Sequence, residues 1–311
     1  MKSSAKRLLG LAARAPVLAR GLLALTRPNR FLVLGYHRVN DDGHPFFCGT
    51  PTRVFRAQME LVRRYFSVQP LDALVAGDAP PNAIAITFDD GYRDNYTNAF
   101  PILRELGLPA TIFLVTGAVD ANQLIWHDRI FDAFHRTRVP IPDKHQELAS
   151  VLGEVRGVGP EERSELISRL LERLGVDSSE SDVGWDKLTW DDVREMAAAG
   201  IRFGAHTLDH PILSHVSPEE ARRQVKGSKE KIESELGCEV TSFAYPNGRP
   251  VDFDATTKQI LRKEGFLSAV TTVSGSNDAS SDPFELRRVG FWHSEDPYVS
   301  FLRFLMVRAR S

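Results

Sequence analysis

Residues 83–91 read Ala-Ile-Ala-Ile-Thr-Phe-Asp-Asp-Gly, an uncharged run that ends in two adjacent carboxylates and a glycine. Five of the first six residues are apolar, a pattern typical of a short strand buried on both faces. Gly91 favours a turn where the strand ends. The carboxylates of Asp89 and Asp90 repel each other there, and a cation or a raised pKa would relieve that repulsion. The run therefore predicts a metal site at a strand end, although Asp and Gly also occur together in solvated turns.

A second segment has the same design. Residues 201–211 read Ile-Arg-Phe-Gly-Ala-His-Thr-Leu-Asp-His-Pro, a strand-like start followed by two histidines four residues apart. Gly204 and Pro211 favour a turn beyond a strand over a helix at this point. Two imidazoles and a carboxylate around a divalent ion leave a position open for water, which is the arrangement of catalytic metal sites. Either segment alone could be ordinary surface chemistry, whereas the two together predict such a site.

These two segments carry a family resemblance. Residues 87–91 and 206–210 resemble the first two motifs of the NodB-like polysaccharide deacetylases, carbohydrate esterase family 4, and the likeness extends from about residue 31 to residue 291. It implies an α/β fold, a deformed (β/α) barrel of the NodB-homology type with a helical insertion. It also implies a hydrolase acting on non-peptide carbon–nitrogen bonds, which removes acetyl groups from N-acetylated sugars.

The resemblance implies roles for four of the residues. Asp89 would be the general base. The ligands of a divalent metal would be Asp90, His206 and His210. Zn²⁺ is the expected ion, with Co²⁺, Ni²⁺ and iron as alternatives.

The third motif of the family differs in this sequence. Residues 243–248 read Phe-Ala-Tyr-Pro-Asn-Gly, where family members often carry Arg-Pro-Pro-Tyr-Gly. Ala244 stands in place of the arginine that orients the base, and Asn247 replaces a pocket tyrosine. In the family the amide at the latter position helps to form the oxyanion hole, and a backbone donor survives a change of side chain. Arg288 is a candidate replacement for the missing cation; an ordinary surface arginine is the alternative.

The general acid also departs from the common pattern. Many family members place a Leu-x-His near the C-terminus, and His293 fits that pattern poorly. The first strand-like run, residues 31–36, is followed by His37. This resembles the poly-N-acetylglucosamine deacetylase branch, in which an N-terminal histidine supplies the acid. The resemblance therefore implies His37 as the acid, with His293 as the alternative; a histidine that only caps the strand end is the structural alternative.

Strand-like runs and helical patterns alternate along the chain. The strand-like runs are 31–36, 84–88, 111–115, 201–205, 241–245, 267–272 and 286–291, and the helical patterns include 51–65, 95–106 and 218–236. Such alternation predicts a parallel sheet covered by helices. In a closed barrel of this kind the chemistry lies at the carboxyl ends of the strands. The candidate residues all follow strand-like runs, which supports this arrangement.

Composition agrees with one large enzyme domain over residues 29–311. The chain has 311 residues, is 42% hydrophobic and carries a net charge of −2, which gives no support for a nucleic-acid partner. Cys48 and Cys238 have no metal-like spacing and predict neither a disulfide framework nor a thiolate site. Residues 119–188 lack strand patterns and predict a helical insertion with helices at 126–136 and 161–174, which we interpret as a lid or substrate-shaping element.

Residues 126–128, Trp-His-Asp, open that insertion and could reach the site. The favoured interpretation is that Trp126 and Phe131 pack the insertion onto the barrel.

The N-terminal segment, residues 1–28, is basic and amphipathic. Residues 1–40 contain eight Lys or Arg and no acid. The segment could lie on an anionic membrane surface or dock as a helix on the barrel. Its uncharged stretches fall short of the ~20 residues of a spanning helix. We therefore expect a cytoplasmic protein or one peripheral to the inner face of the membrane, with export as a further alternative.

Two other functions stay open on the sequence. A metal-dependent hydrolase of the same fold could act on a non-carbohydrate amide, because fold and metal ligands do not determine the substrate. The chain could instead be a catalytically silent module that binds an N-acetylated glycan. The loss of the motif arginine at Ala244 is the observation behind that alternative.

Overall fold

Eight parallel strands form the centre of the molecule in a computed structural model. The model describes residues 30–47, 49–77, 79–121, 124–177, 185–290, 296–297, 301, 304, 306 and 307. The strands are β1 Leu32–Tyr36, β2 Ser67–Val68, β3 Ala83–Phe88, β4 Thr111–Leu114, β5 Arg202–Ala205, β6 Ser242–Ala244, β7 Ser268–Ser274 and β8 Leu286–Gly290. Seven of them coincide with the seven strand-like runs; β2, which has only two residues, was not predicted.

The sheet closes into a barrel because β1 pairs with both β8 and β3. The ring therefore runs β1, β3, β4, β5, β6, β7, β8. Strand β3 shares its second edge between two partners: β2 pairs with Ala83 and Ile84, while β4 pairs with Thr87 and Phe88. The strand register is also irregular between β7 and β8. The predicted fold class, a deformed (β/α) barrel, is confirmed.

Alternate residues of β3 belong to two different cores. Ala83 and Ala85 lie in a small cluster made mainly of strand residues, which fills the barrel interior. Ile84 and Ile86 lie in a larger cluster with the surrounding helices. All six residues of β3 are buried, because both faces of the strand are covered. This alternation places Asp89, which follows the strand in phase with the alanines, at the top of the interior.

Helices cover the outside of the barrel and build the insertion. They are α1 Thr52–Tyr65, α2 Leu71–Val75, α3 Phe100–Leu106, α4 Trp126–Arg136, α5 Lys144–Arg156, α6 Pro160–Leu174, α7 Trp190–Ala198, α8 Pro218–Leu236 and α9 Ala255–Lys263. Helix α8 shows how sequence sets the bounds: the Ser217 side chain accepts from the Glu220 amide at its start, and Gly237, with φ 63°, ends it.

The insertion has its own apolar core. Helices α4, α5 and α6 pack against one another through a cluster that also contains Tyr92 and Trp185. Phe131 belongs to this cluster, and its ring stacks on that of Phe47 at 5.0 Å. Helix α5 was not predicted from the sequence.

A wider helical turn precedes α3. Residues Asn95–Ala99 form a π-helical turn, and Pro101 then occupies the first turn of α3. Proline has no backbone N–H and its ring crowds the preceding turn, so regular α-helical bonding cannot run through this point. The wider turn carries Asn95, which is fully buried, toward β1.

The N-terminal segment, residues 1–28, lies outside the described residues, so its membrane contact stays a prediction. Among the described residues, no helix combines the length and the apolar character needed to cross a bilayer.

Close packing in the barrel interior leaves no room for a side chain at Gly204. A Cβ atom there would lie 2.5 Å from the Phe113 ring and 2.9 Å from the Ser242 carbonyl oxygen. We expect Gly204→Ala to lower the free energy of unfolding by about 1–3 kcal/mol, because the core must shift to accept the methyl group. Urea unfolding followed by circular dichroism measures this change.

Gly153→Ala is the matched control. It lies inside α5 with no atom within 4 Å of an added Cβ, so we expect a stabilisation of roughly 0.5–1 kcal/mol from helix propensity. Equal effects of the two substitutions would contradict the crowding at Gly204.

Candidate active site at the carboxyl ends of the strands

Three of the candidate segments meet at one end of the barrel. His37 follows β1, Asp89 and Asp90 follow β3, and His206 follows β5. Because all strands are parallel, their carboxyl ends lie at the same rim. The candidate active site lies at this rim.

Arg288 of β8 holds Asp89, which follows β3, by reaching past the intervening strand β1. Its Nη1 donates to Asp89 Oδ1 at 2.7 Å and its Nη2 donates to Oδ2 at 2.6 Å, a bidentate pair with both side chains almost fully buried. Its Nε donates to the Thr271 carbonyl oxygen, and Nη1 also reaches Thr87 Oγ1 at 3.3 Å. The Arg288 side chain passes beside Gly35 of β1, where an added Cβ would lie in ordinary contact, 3.5–3.6 Å from its Cδ, Nε and Cζ atoms.

This pairing keeps Asp89 ionised. Burial alone would raise its pKa, but the charge and hydrogen bonds of Arg288, with smaller contributions from His206 and His37, bring it below its usual value. Arg288 thus pairs directly with Asp89, and it comes from β8 and not from the segment containing Ala244.

Asp90 faces the opposite way and is surrounded by imidazoles. Its backbone turns with φ 70° and Gly91 follows with φ 65°, which points the two neighbouring carboxylates to different partners. His206 Nε2 and His210 Nε2 each lie 3.4 Å from Asp90 Oδ1. His127 Nε2 lies 3.9 Å from Asp90 Oδ2.

The donor set around Asp90 fits a divalent ion. Two donor atoms at about 2.1 Å from one tetrahedral ion lie roughly 3.4 Å apart, which is the spacing found between Asp90 Oδ1 and two imidazole nitrogens. Asp90 Oδ1 and His210 Nδ1 are buried and have no hydrogen-bond partner among the described residues. Asp90, His127 and His210 each offer a ligand atom, and these atoms all lie within 4.8 Å of one another.

Neighbouring groups orient the two predicted histidine ligands. His206 Nδ1 lies 2.7 Å from the Ala244 carbonyl oxygen, which leaves Nε2 directed at Asp90. His210 has φ 58°; its amide donates to Thr207 Oγ1, and its carbonyl oxygen accepts from Trp126 Nε1. The tryptophan that opens the insertion therefore contacts the His210 backbone directly.

The electrostatics favour the ligand forms of Asp90 and His210, and a charged ring at His206. Burial would raise the pKa of Asp90, but His206 and the charges of the other imidazoles hold it well below its usual range. Burial holds the pKa of His210 well below its usual value, which leaves a neutral ring with a free lone pair. Burial would also lower the pKa of His206, yet the two aspartates raise it overall.

His37 stands at the open side of the site. Its Nε2 lies 3.9 Å from Asp89 Oδ2, and its side chain is 39% exposed, against 3% for that aspartate. The buried Asn95 donates from Nδ2 to the His37 carbonyl oxygen at 2.9 Å. The π-helical turn thus fixes the backbone that carries this histidine. The alternative acid, His293, lies outside the described residues.

Asn247 presents an unused backbone donor. It has φ 59°, and Thr272 Oγ1 donates to its carbonyl oxygen at 2.8 Å. Within the described part of the chain neither its amide N–H nor its side-chain Nδ2 has an acceptor. The backbone N–H is therefore the candidate donor to a ligand, because Nδ2 is itself buried.

His127 is the residue that sequence reasoning did not assign. The favoured interpretation had Trp126 and Phe131 pack the insertion onto the barrel and gave His127 no role, but the structure places the His127 ring 4.9 Å from that of His210. Its Nδ1 lies 3.0 Å from Asp128 Oδ1. A histidine directly before an aspartate, at the opening of the insertion, was the available signal.

A family model described as polysaccharide deacetylase matches residues 76–269 of this chain. The match covers more than half of the sequence and includes β3 to β6. It contains both segments that supply the predicted metal ligands, residues 87–91 and 206–210.

Individual relatives agree with this match. The Bacillus subtilis protein YxkH is 24% identical over 269 residues, which cover 85% of this chain and 72% of YxkH. The poly-beta-1,6-N-acetyl-D-glucosamine N-deacetylase of Escherichia coli K12 is 30% identical over 115 residues, 33% of this chain and 17% of that enzyme.

Among solved structures, the Streptococcus pyogenes deacetylase PplD in complex with acetate superposes with a TM-score of 0.63 at 19% identity, covering 91% of this chain and 99% of PplD. That likeness extends to the whole barrel. The chain belongs to the polysaccharide deacetylase family, hydrolases that act on the amide bonds of N-acetylated sugars.

Proposed function

We propose that this protein is a metal-dependent deacetylase that removes acetyl groups from N-acetylated sugars in a polysaccharide or glycan intermediate. The observation that carries the proposal is the difference in surroundings between two adjacent carboxylates. Asp89 is engaged by a bidentate arginine, and Asp90 faces a group of imidazoles. Neighbouring carboxylates held in such different environments serve different chemical roles.

Asp90, His206 and His210 are the proposed metal ligands. A carboxylate with two imidazoles suits Zn²⁺ first, and Co²⁺, Ni²⁺ or iron as alternatives. When bound there, the ion would polarise the acetyl carbonyl and lower the pKa of a water molecule.

Asp89 is the proposed general base. As water attacks the acetyl carbon, Asp89 accepts a proton from it, and a tetrahedral oxyanion forms. Arg288 keeps the base ionised and fixes the plane of its carboxylate. The same bidentate contact makes Arg288 a positioning residue, since it acts on the substrate only through Asp89.

Asn247 and His37 complete the reaction. The backbone N–H of Asn247 is the proposed donor to the oxyanion. His37 then donates a proton to the sugar nitrogen as the carbon–nitrogen bond breaks, which releases acetate and a free amine. Its exposure and its 3.9 Å distance from Asp89 favour this role, because the acid must reach the leaving group beside the base.

N-acetylglucosamine polymers are the proposed substrate class. Support comes from the name of the Escherichia coli relative, whose similarity covers a third of this chain, and from the N-terminal position of His37. Peripheral membrane contact through residues 1–28, on the cytoplasmic side, is part of the same proposal and is open to liposome flotation with and without that segment.

Metal dependence is the first test. Protein stripped with a chelator should release no acetate from N-acetylglucosamine oligomers, and added Zn²⁺, Co²⁺ or Ni²⁺ should restore release. Asp90→Ala should lose both metal and activity, whereas Asp89→Asn should keep the metal and lose about 10²–10⁴-fold in kcat with the base. Elemental analysis and an acetate assay measure the two properties.

Asp209→Asn is the control, because this carboxylate lies in the same loop as the histidines but is largely exposed; it should keep metal and turnover. A fully active Asp89→Asn would refute the base assignment. Metal binding without acetate release from the wild type would favour another amide substrate or a silent glycan-binding module.

The bidentate contact gives a second test. Arg288→Lys keeps the positive charge but cannot hold both carboxylate oxygens. We expect kcat to fall by about 10²-fold with little change in KM, because a base displaced by about 1 Å loses alignment with the attacking water. Steady-state kinetics on the metal-loaded protein measure this.

Arg287→Lys is the matched control. It changes the neighbouring residue on β8, whose side chain is exposed, and it should leave kcat unchanged. If both variants were fully active, a positive charge alone would suffice and the orienting role would be wrong.

A further inference from the structure

The first turn of α4 brings a third imidazole to Asp90. His127 is 9% exposed, its Nε2 lies 3.9 Å from Asp90 Oδ2, and its ring is 4.9 Å from that of His210. His206 and His210 approach Oδ1 of the same carboxylate. Both oxygens of Asp90 therefore face imidazole nitrogens.

A buried network holds the His127 ring in this orientation. Asp128 is fully buried, and its Oδ1 lies 3.0 Å from His127 Nδ1. Lys187 Nζ donates to Asp128 Oδ2 at 2.8 Å, and the Tyr92 hydroxyl donates to Oδ1.

Asp128 is placed like the carboxylates that hydrogen-bond to metal-binding histidines on the side away from the metal. Such histidines commonly direct one ring nitrogen at a carboxylate, which fixes the tautomer and leaves the other nitrogen as the ligand. Nδ1 of His127 faces Asp128, so Nε2 is the nitrogen directed at Asp90. One ligand atom from each of Asp90, His127 and His210 lies within 4.8 Å of the other two, close enough for one ion to bind all three.

We propose that His127 is a fourth protein ligand of the metal, so that the helical insertion completes the metal site and the ion would be at least five-coordinate when water also binds. This inference rests on the proposed function, because it assumes an ion at Asp90. Asp128, with Lys187 and Tyr92 behind it, positions the ligand. The insertion thus contributes to metal binding itself as well as covering the barrel rim.

The count of imidazoles tests the proposal directly. X-ray absorption spectra of the Zn²⁺-loaded wild type should require three imidazoles; two would overturn the assignment. This measurement needs no variant, so it stands even if a substitution disturbs folding.

Metal affinity supplies the second readout. His127→Gln should bind Zn²⁺ at least about 10–100-fold more weakly than wild type. Loss of only the outer hydrogen-bond partner of a metal ligand already weakens binding by that factor. It should also change the visible spectrum of the Co²⁺ form. Competition with a chromophoric chelator measures the affinity, and circular dichroism checks the fold.

His135→Gln is the matched control. It is the same change on the same helix, eight residues and about 12 Å further along, at an exposed position. Its affinity and Co²⁺ spectrum should equal those of wild type.

The outcomes separate this inference from the proposed function. If the wild type binds one ion and His127→Gln matches it in affinity and spectrum, His127 is not a ligand, while the metal-dependent function stands. If the wild type binds no metal, both proposals fail together.

Discussion

Two adjacent buried negative charges are the constraint on which this site depends. Asp89 and Asp90 are each 2% exposed, and neither could remain ionised there without compensation. The left-handed turn at Asp90 separates their directions, so that each carboxylate has its own partners. One is neutralised by a fixed guanidinium, and the other lies in a pocket of nitrogen donors suited to a removable cation. The barrel supplies both environments because parallel strands end at one rim.

The barrel interior is shaped by the same requirement. Arg288 reaches Asp89 past Gly35 of β1, and Ala83 and Ala85 of β3 lie in the interior cluster. Elsewhere the interior is filled to capacity, as the contact between Gly204 and Phe113 shows.

The sequence predicted the structure best where a short local pattern determines it. The apolar run of β3 and the polar residues that follow it predicted both a buried strand and a cluster at its end. Arg288 was proposed only as one of two alternatives, because it lies 199 residues from Asp89 and no local pattern reports such a distance. His127 was passed over because its environment is created by Asp128, Lys187 and Tyr92, which come together only in the fold. Strand β2 has two residues, too few to show the alternation of apolar and polar residues that marks a strand.

Four residues of the site, none of them glycine, have left-handed backbone conformations. Asp90, Thr207, His210 and Asn247 have φ between 58° and 70°, and the branched Thr207 is the most unusual of them. Each costs folding free energy that a glycine would recover. Selection for stability alone would therefore act against this active site. In a lineage no longer selected for turnover, stabilising substitutions at Asp90 and His210 would remove the proposed metal ligands first.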